Sequence, residues 1–162
     1  MTREEYLHTS FENPDPEFLD GEVVERNGGT LPHARALAVT CALLYQARER
    51  TGLQTVLSLR MRVAPNRIRV ADLAVFEHEP AEEVPSSPPL VAVEILSPDD
   101  RIGYVIPKLE EYRAWGVKHV WAVDPDDGKL FTYGETGLHE VTELRLPAHE
   151  IVLTHADIFG AR

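Results

Sequence analysis

Leu90-Val91-Ala92-Val93-Glu94-Ile95-Leu96-Ser97-Pro98-Asp99-Asp100-Arg101, with Lys108 shortly after, is the stretch from which the rest of the chain reads outward. Leu90 to Val93 is a short apolar run with turn chemistry on both sides. It predicts a strand buried on both faces. Glu94 then stands at the carboxyl end of a central strand. A carboxylate there is costly unless it is paired, hydrogen-bonded or on a metal. Open sheets place ligand sites at such strand ends.

Upstream, residues 54–63 alternate, with Leu57, Leu59, Met61 and Val63 on one side and Val56, Ser58, Arg60 and Arg62 on the other. That is a half-buried strand. Ala64-Pro65-Asn66 is a turn, and 67–76 is the return strand. Its faces are Ile68, Val70, Asp72, Ala74 and Phe76 against Arg69, Ala71, Leu73 and Val75, so it runs deep into a sheet. Residues 77–89 hold four prolines, two serines and four acidic residues, the chemistry of a solvated loop. Downstream, Asp99-Asp100 opens a turn, and a helix is predicted over about 104–115, with Pro107 in its first turn. Residues 119–123 form another buried strand, closed by the turn Asp124-Pro125-Asp126-Asp127-Gly128. Residues 129–133 and 138–143 extend the sheet antiparallel, and 151–159 packs on the body.

At the other end, Thr2 caps a short helix over 2–8. Residues 18–25 are a strand or a tight hairpin about Asp20-Gly21, and Asn27-Gly28-Gly29 is a loop. Thr30 caps a helix from 31 to about 50, with Leu37, Cys41, Leu44 and Ala47 on one stripe. Gly52 ends it. The core order is helix, strand, strand, strand, helix, strand (αβββαβ). It predicts an α/β fold, a mixed central sheet flanked by helices, in one domain over 1–162.

The 162 residues suit one core. Sixteen basic against 27 acidic residues set the net charge at -11. That opposes loose, charge-driven binding to nucleic acid or an anionic membrane, while leaving room for a local basic strip or a metal-bridged contact. No apolar run approaches the roughly 18 residues of a membrane span. The charged start Met1-Thr2-Arg3-Glu4-Glu5 lacks an apolar signal core. Cys41 is the lone cysteine, which removes an intrachain disulfide and a thiolate-rich metal site. A cytoplasmic protein with no membrane partner is the expectation. The seven histidines show no HxxxH or HExxH spacing, so zinc hydrolase chemistry is not indicated.

If the strands of Asp72 and Glu94 are neighbours, the two carboxylates meet. Like charges in a dry site repel, and a divalent cation resolves the conflict. Mg²⁺ takes one or two protein carboxylates and keeps its other places for water and phosphate oxygens. Lys108, one turn into the following helix, can aim an ammonium at the same place. Each residue also has a plainer reading. Asp72 can be a structural carboxylate bonded to backbone, Lys108 a surface lysine, Glu22 a solvated strand residue and His33 a surface or helix-capping residue. Arg60, Arg62, Arg67 and Arg69 are the one concentrated basic feature, spaced by two on each strand, and form a candidate phosphate-contacting strip or an ordinary charged hairpin. Tyr112, Trp115 and Trp121 read as core.

With these residues in view, the chain resembles the PD-(D/E)XK restriction-endonuclease-like nucleases. It is most similar to the bacterial Uma-type restriction endonuclease family, in which the lysine lies on the following helix. The resemblance is carried by Asp20-Gly21-Glu22, His33, Ala71-Asp72-Leu73-Ala74-Val75, Val93-Glu94-Ile95-Leu96-Ser97-Pro98, Lys108 with Tyr112, and Gly116-Val117 leading to Trp121-Ala122-Val123-Asp124-Pro125. The order and spacing of these motifs are specific; no single one is. The resemblance implies a restriction-endonuclease-like fold and Mg²⁺- or Mn²⁺-dependent hydrolysis of phosphodiesters, in DNA. It implies Asp72, Glu94 and the Ile95 carbonyl as metal ligands, Lys108 as the catalytic lysine and Glu22 as an auxiliary acid. Leu96 fills the strand position of the usual lysine, so this reading depends on Lys108. Ala71 replaces a usual proline. Tyr104 replaces an aspartate one turn before the lysine, which implies a less defined Lys108. DNA would bind weakly and with metal assistance, and a homo-oligomer, a dimer at its simplest, is compatible. Two rivals stand: an inactive nuclease fold reused for protein binding or assembly, and a metal-dependent hydrolase of another phosphoester.

Overall fold

The computed structural model describes residues 1–27, 29–98 and 102–160, the side chain of Ile102 excepted. Gly28 and the turn predicted at Asp99-Asp100 lie outside the described residues. Thr2 caps α1 (Arg3–Leu7) through a capping box with Glu5. β1 (Glu17–Leu19) and β2 (Glu22–Val24) form the tight hairpin. Its turn residues Asp20 and Gly21 sit at φ 53° and 102°, the left-handed pair that a two-residue hairpin turn requires. α2 (Leu31–Gln46) starts at its Thr30 cap. The long predicted helix breaks at Ala47, and one further turn, α3 (Arg48–Thr51), runs to left-handed Gly52. The buried residues of α2 are Ala36, Thr40 and Leu44. Leu44 of the predicted stripe is buried, while Ala36 and Thr40, each one position before Leu37 and Cys41, take the deepest places. Small residues let the helix settle on the sheet, and Leu37, Cys41 and Leu43 flank the contact.

β3 (Gln54–Ala64) and β4 (Arg67–Phe76) pair antiparallel along β4's whole length. The alternation expected in β3 is interrupted at Ser58, whose φ is 48°. β5 (Val91–Ile95) pairs antiparallel with β4 and, across α4 (Ile102–Trp115), parallel with β6 (His119–Asp124). β7 (Lys129–Gly134) and β8 (Gly137–Val141) continue antiparallel. β9 (Glu143–Leu146) and β10 (Ile151–Thr154) make a separate pair, followed by α5 (His155–Phe159). α4 starts earlier than predicted, which puts Pro107 inside the helix and not in its first turn. Its missing N–H leaves the Gly103 carbonyl without its usual partner. The α/β architecture is the expected one, a mixed sheet flanked by helices. No helix of the described residues is long and apolar enough to cross a membrane.

The sheet has a fork at β4. β3 occupies one side of it. On the other side β1 pairs only at Ile68 and Arg67, and β5 only at Leu73, Ala74 and Val75. Arg69, Val70 and Ala71 therefore have a strand partner on one side alone, and Asp72 is paired on neither. Backbone groups in such a gap must find side chains or water.

Strand alternation sorts the core into two faces. Leu73, Val75, Val91, Val93 and Ile95 lie in one cluster with Ala36 and Leu44 of α2. Ala74, Phe76 and Ala92 lie in the other with Leu109 and Tyr112 of α4. By the same period of two, Asp72 and Glu94 belong to the α4 face.

Leu73 is fully buried. Leu73→Ala should lower unfolding free energy by about 2–5 kcal/mol in urea melts. Leu138→Ala, at a 37% exposed position, should change it by less than about 0.5 kcal/mol.

Candidate active site

Leu73 faces Val93 across the antiparallel pair, so the register carries Asp72 to the place beside Glu94. The Ile95 N–H donates to Asp72 Oδ2 at 2.8 Å. The peptide edge of Ile95 therefore lies against Asp72, and Ile95 lines one cavity with both carboxylates. Asp72 is 6% and Glu94 7% exposed. Lys108 rises from α4 beneath them and is as buried. Its ammonium donates to Glu94 Oε2 at 2.9 Å and to the Val70 carbonyl at 2.9 Å. It also lies 2.8 Å from Glu17 Oε1. Three partners match its three protons. Tyr112 donates to Glu94 Oε1 at 2.9 Å.

Glu17, at the start of β1, is the acid that the sequence reading missed. It is fully buried. Oε1 accepts from the Val70 N–H at 3.0 Å, and Oε2 accepts from Arg69 at 2.6 Å and Tyr104 at 2.7 Å. Glu17 and Lys108 thus satisfy both backbone groups of Val70 in the fork. Glu22, expected as the auxiliary acid, is exposed on β2 and does not line the site. The acid of that hairpin that reaches Lys108 lies five positions earlier, because Glu17 is on the inner strand beside β4. Tyr104 does not leave Lys108 loose. Glu17 does the positioning from across the fork, and the Tyr104 hydroxyl steadies Glu17.

Asp72 Oδ1 accepts from Arg26 Nη2 at 2.6 Å, and His33 Nε2 lies 3.6 Å from Oδ2. Arg26 was not foreseen either. A single arginine in a loop after a short strand carries no local signal. A cavity of about 260 Å³, lined among others by Arg26, His33, Asp72, Glu94, Ile95 and Lys108, opens here.

Burial pushes the Glu94 carboxyl up to about 7, and neighbouring Asp72 adds to the shift against the pull of Lys108 and Arg26. Burial works on Glu17 in the same direction, but Lys108 and Arg69 outweigh it and hold Glu17 at about 2. For Asp72, too, burial is outweighed, by His33, Lys108, Arg26 and the Ile95 N–H, and its pKa is lowered. Burial would lower the Lys108 pKa, yet Glu17 and Glu94 raise it, so the ammonium stays charged.

Among the described residues no three His, Cys, Asp or Glu side chains are grouped as a metal cage. The two carboxylates that meet here offer only oxygens, and Ile95 lines the same cavity. That is the donor chemistry of Mg²⁺ or Mn²⁺, which fill their remaining places with water. Each of these carboxylate oxygens already accepts from the protein, with His33 close to Asp72 Oδ2 as well, and a carboxylate oxygen can accept a hydrogen bond and bind a cation together. The donor set therefore fits a hard divalent ion.

The predicted basic strip is not an open one. Arg60 is bound by Asp15, with Nη2 at 2.7 Å, and packs over the Tyr6 ring. Arg67 pairs with Asp20 and Glu111. Arg69 is 3% exposed between Glu17 and a bidentate Glu111. Acidic residues distant in sequence neutralise these three, and Arg69 cannot reach a ligand from the surface. Arg62 is half-buried, with its Nε unpartnered.

The sequence model of the family described as Uma2, "Putative restriction endonuclease", matches residues 3–157. No curated protein matches. The crystal structure of a protein described as a putative nuclease belonging to DUF820, from Anabaena variabilis, superposes with a TM-score of 0.84. It covers 98% of this chain and 97% of that chain at 20% identity, a likeness of fold.

Glu17→Ala should cost about 3–5 kcal/mol in denaturant melts, because it takes one acceptor from each of the buried cations Lys108 and Arg69 and leaves the Val70 N–H with none. The pH dependence of stability has two limbs. The Glu17 contribution is complete above its ordinary 4.5 and is lost as pH falls towards about 2. Glu94 acts oppositely. Its proton is held more tightly in the fold, so stability declines as pH rises from 4.5 through about 7. Thermal melts in EDTA should show that upper limb flattened in Glu94→Gln.

Proposed function

The chain belongs to the Uma2 family, described as "Putative restriction endonuclease", and from that premise we propose that it is a metal-dependent endonuclease acting on DNA. The observation that carries this reading is the convergence of Asp72, Glu94, the Ile95 peptide edge and a charged, buried Lys108 on one cavity at the end of β5. Asp72, Glu94 and the Ile95 carbonyl would hold Mg²⁺ or Mn²⁺. The ion, when bound, supplies polarisation of the phosphoryl group and an acidified water.

The work of the chain's own residues is positional and electrostatic. Asp72 is oriented by the Ile95 N–H, so a ligand oxygen stands ready without reorganisation. Lys108 presents a fixed positive charge beside Glu94, where it can neutralise charge that develops on the phosphate. Glu17 keeps that ammonium charged and still. Tyr112 orients the second Glu94 oxygen. The arrangement is preorganised, which is where most electrostatic catalysis originates.

A second reading keeps the fold and drops the chemistry. It is favoured by the net charge of -11 and by the internal pairing of Arg60, Arg67 and Arg69. The protein would then be a binding or assembly module.

Nicking of supercoiled plasmid with Mg²⁺ or Mn²⁺ separates the two. Wild type should nick, and Asp72→Ala and Glu94→Ala should not. Lys108→Ala should reduce the rate by roughly a hundredfold or more, the scale for one preorganised contact. Lys108→Arg should not rescue, because a planar guanidinium cannot make the three compact contacts of an ammonium. Wild-type nicking no faster than that of Glu94→Ala would sink the nuclease reading and leave the binding module.

A further inference from the structure

Arg26 lies just past β2, in the irregular segment before α2, yet its side chain is only 13% exposed. Its guanidinium donates to Asp72 Oδ1 at 2.6 Å and lines the cavity that Asp72, Glu94 and Ile95 also line. Lys108 is already saturated by Glu17, Glu94 and the Val70 carbonyl. The permanent positive charge in hydrogen-bond contact with Asp72 is that of Arg26, on Oδ1, while His33 Nε2 stands 3.6 Å from Oδ2. A second cation entering between Asp72 and Glu94 meets a guanidinium already on one Asp72 oxygen, and like charges this close repel strongly.

We propose, resting on the metal-site reading above, that Arg26 is a resident counter-cation: it holds the Asp72 carboxylate in the metal-free protein and must swing aside when a divalent ion binds. Two features make this feasible. The anchoring backbone belongs to no helix or strand, and the side chain borders an open cavity into which it can move. The consequence is a built-in opposition to metal. Occupancy by Arg26 lowers the apparent affinity of the site by the fraction of time the guanidinium is in place. It also protects the fold, because a buried carboxylate stripped of its partner is strongly destabilising. Arg26 is in this sense a positioning residue that sets the metal concentration at which the site loads.

Calorimetric titration with Mn²⁺ at fixed pH and ionic strength tests this on wild type, Arg26→Met, Arg26→Gln and Arg26→Lys, with Asp72→Ala as the site control. Arg26→Met and Arg26→Gln should bind Mn²⁺ at least tenfold more tightly than wild type. Arg26→Lys, which keeps the charge, should gain less. In EDTA the two neutral variants should melt below wild type, and Mn²⁺ should raise their Tm by more than it raises that of wild type. Suppose both neutral variants bind Mn²⁺ no better than wild type, whose binding is lost in Asp72→Ala. The metal site then stands and the role of Arg26 is rejected. No Mn²⁺ binding by any of the proteins would remove the metal site and this inference together. Should neither neutral variant fold in EDTA, refolding by Mn²⁺ but not by equal ionic strength of NaCl supports the proposal, and failure to refold overturns it.

Discussion

The Lys108 ammonium, enclosed by Glu17, Glu94 and the Val70 carbonyl, is the interaction on which the rest of the molecule depends. It answers a problem of the sheet. Between its contacts with β1 and β5, β4 has no strand neighbour on one side, and the backbone there lies deep in the protein. Water cannot serve Val70 in that place as cheaply as fixed side chains do. Glu17 accepts its N–H and Lys108 donates to its carbonyl. One ion pair thereby closes the fork, ties the N-terminal hairpin to α4, and fixes the charge beside Glu94.

Such a cluster is not primarily a source of stability. Removing ionic groups from water is expensive, and their mutual attraction repays this only with good geometry and saturated hydrogen bonds. Here the saturation is high: Glu17 uses both oxygens, Lys108 all three protons, and Arg69 pairs with Glu17 as well as a bidentate Glu111. What the cluster provides is order. An apolar filling of the fork would pack as well, but it would leave no fixed charge at the end of β5. Glu94 bears the residual strain. Its neighbours fail to offset burial, and its carboxyl titrates near neutrality. The group least comfortable in the fold is the one best placed to accept a new cation.

The same logic explains the arginines of the β3–β4 hairpin. Their charges serve the interior and the N-terminal strap: Arg60 gathers Asp15 and the carbonyls of Leu7 and Thr9, and Arg67 and Arg69 converge on Glu111 of α4. A local surplus of positive residues in sequence becomes a balanced network in space, and the acidic character of the whole chain is carried outward.

Much of this was legible in the residues alone. β4 spans the predicted 67–76, and β5, α4 and β6 fall where apolar runs, Gly116 and the Asp124–Gly128 turn put them. The hairpin at Asp20-Gly21 and the caps at Thr2 and Thr30 follow from local chemistry. The juxtaposition of Asp72 with Glu94 follows from strand order and a period of two once the structure sets Leu73 against Val93. The caps, the turn and the single elements depend on neighbours a few positions apart, so sequence determines them. The partners of the charged groups do not. Glu17 in place of Glu22, Arg26 on Asp72, and Asp15 on Arg60 join residues some 45 or more positions apart. Periodicity states which face a side chain takes. Which opposite charge it meets there is decided by how the β1–β2 hairpin docks on β4 and how far each side chain reaches, and the tertiary structure alone sets both.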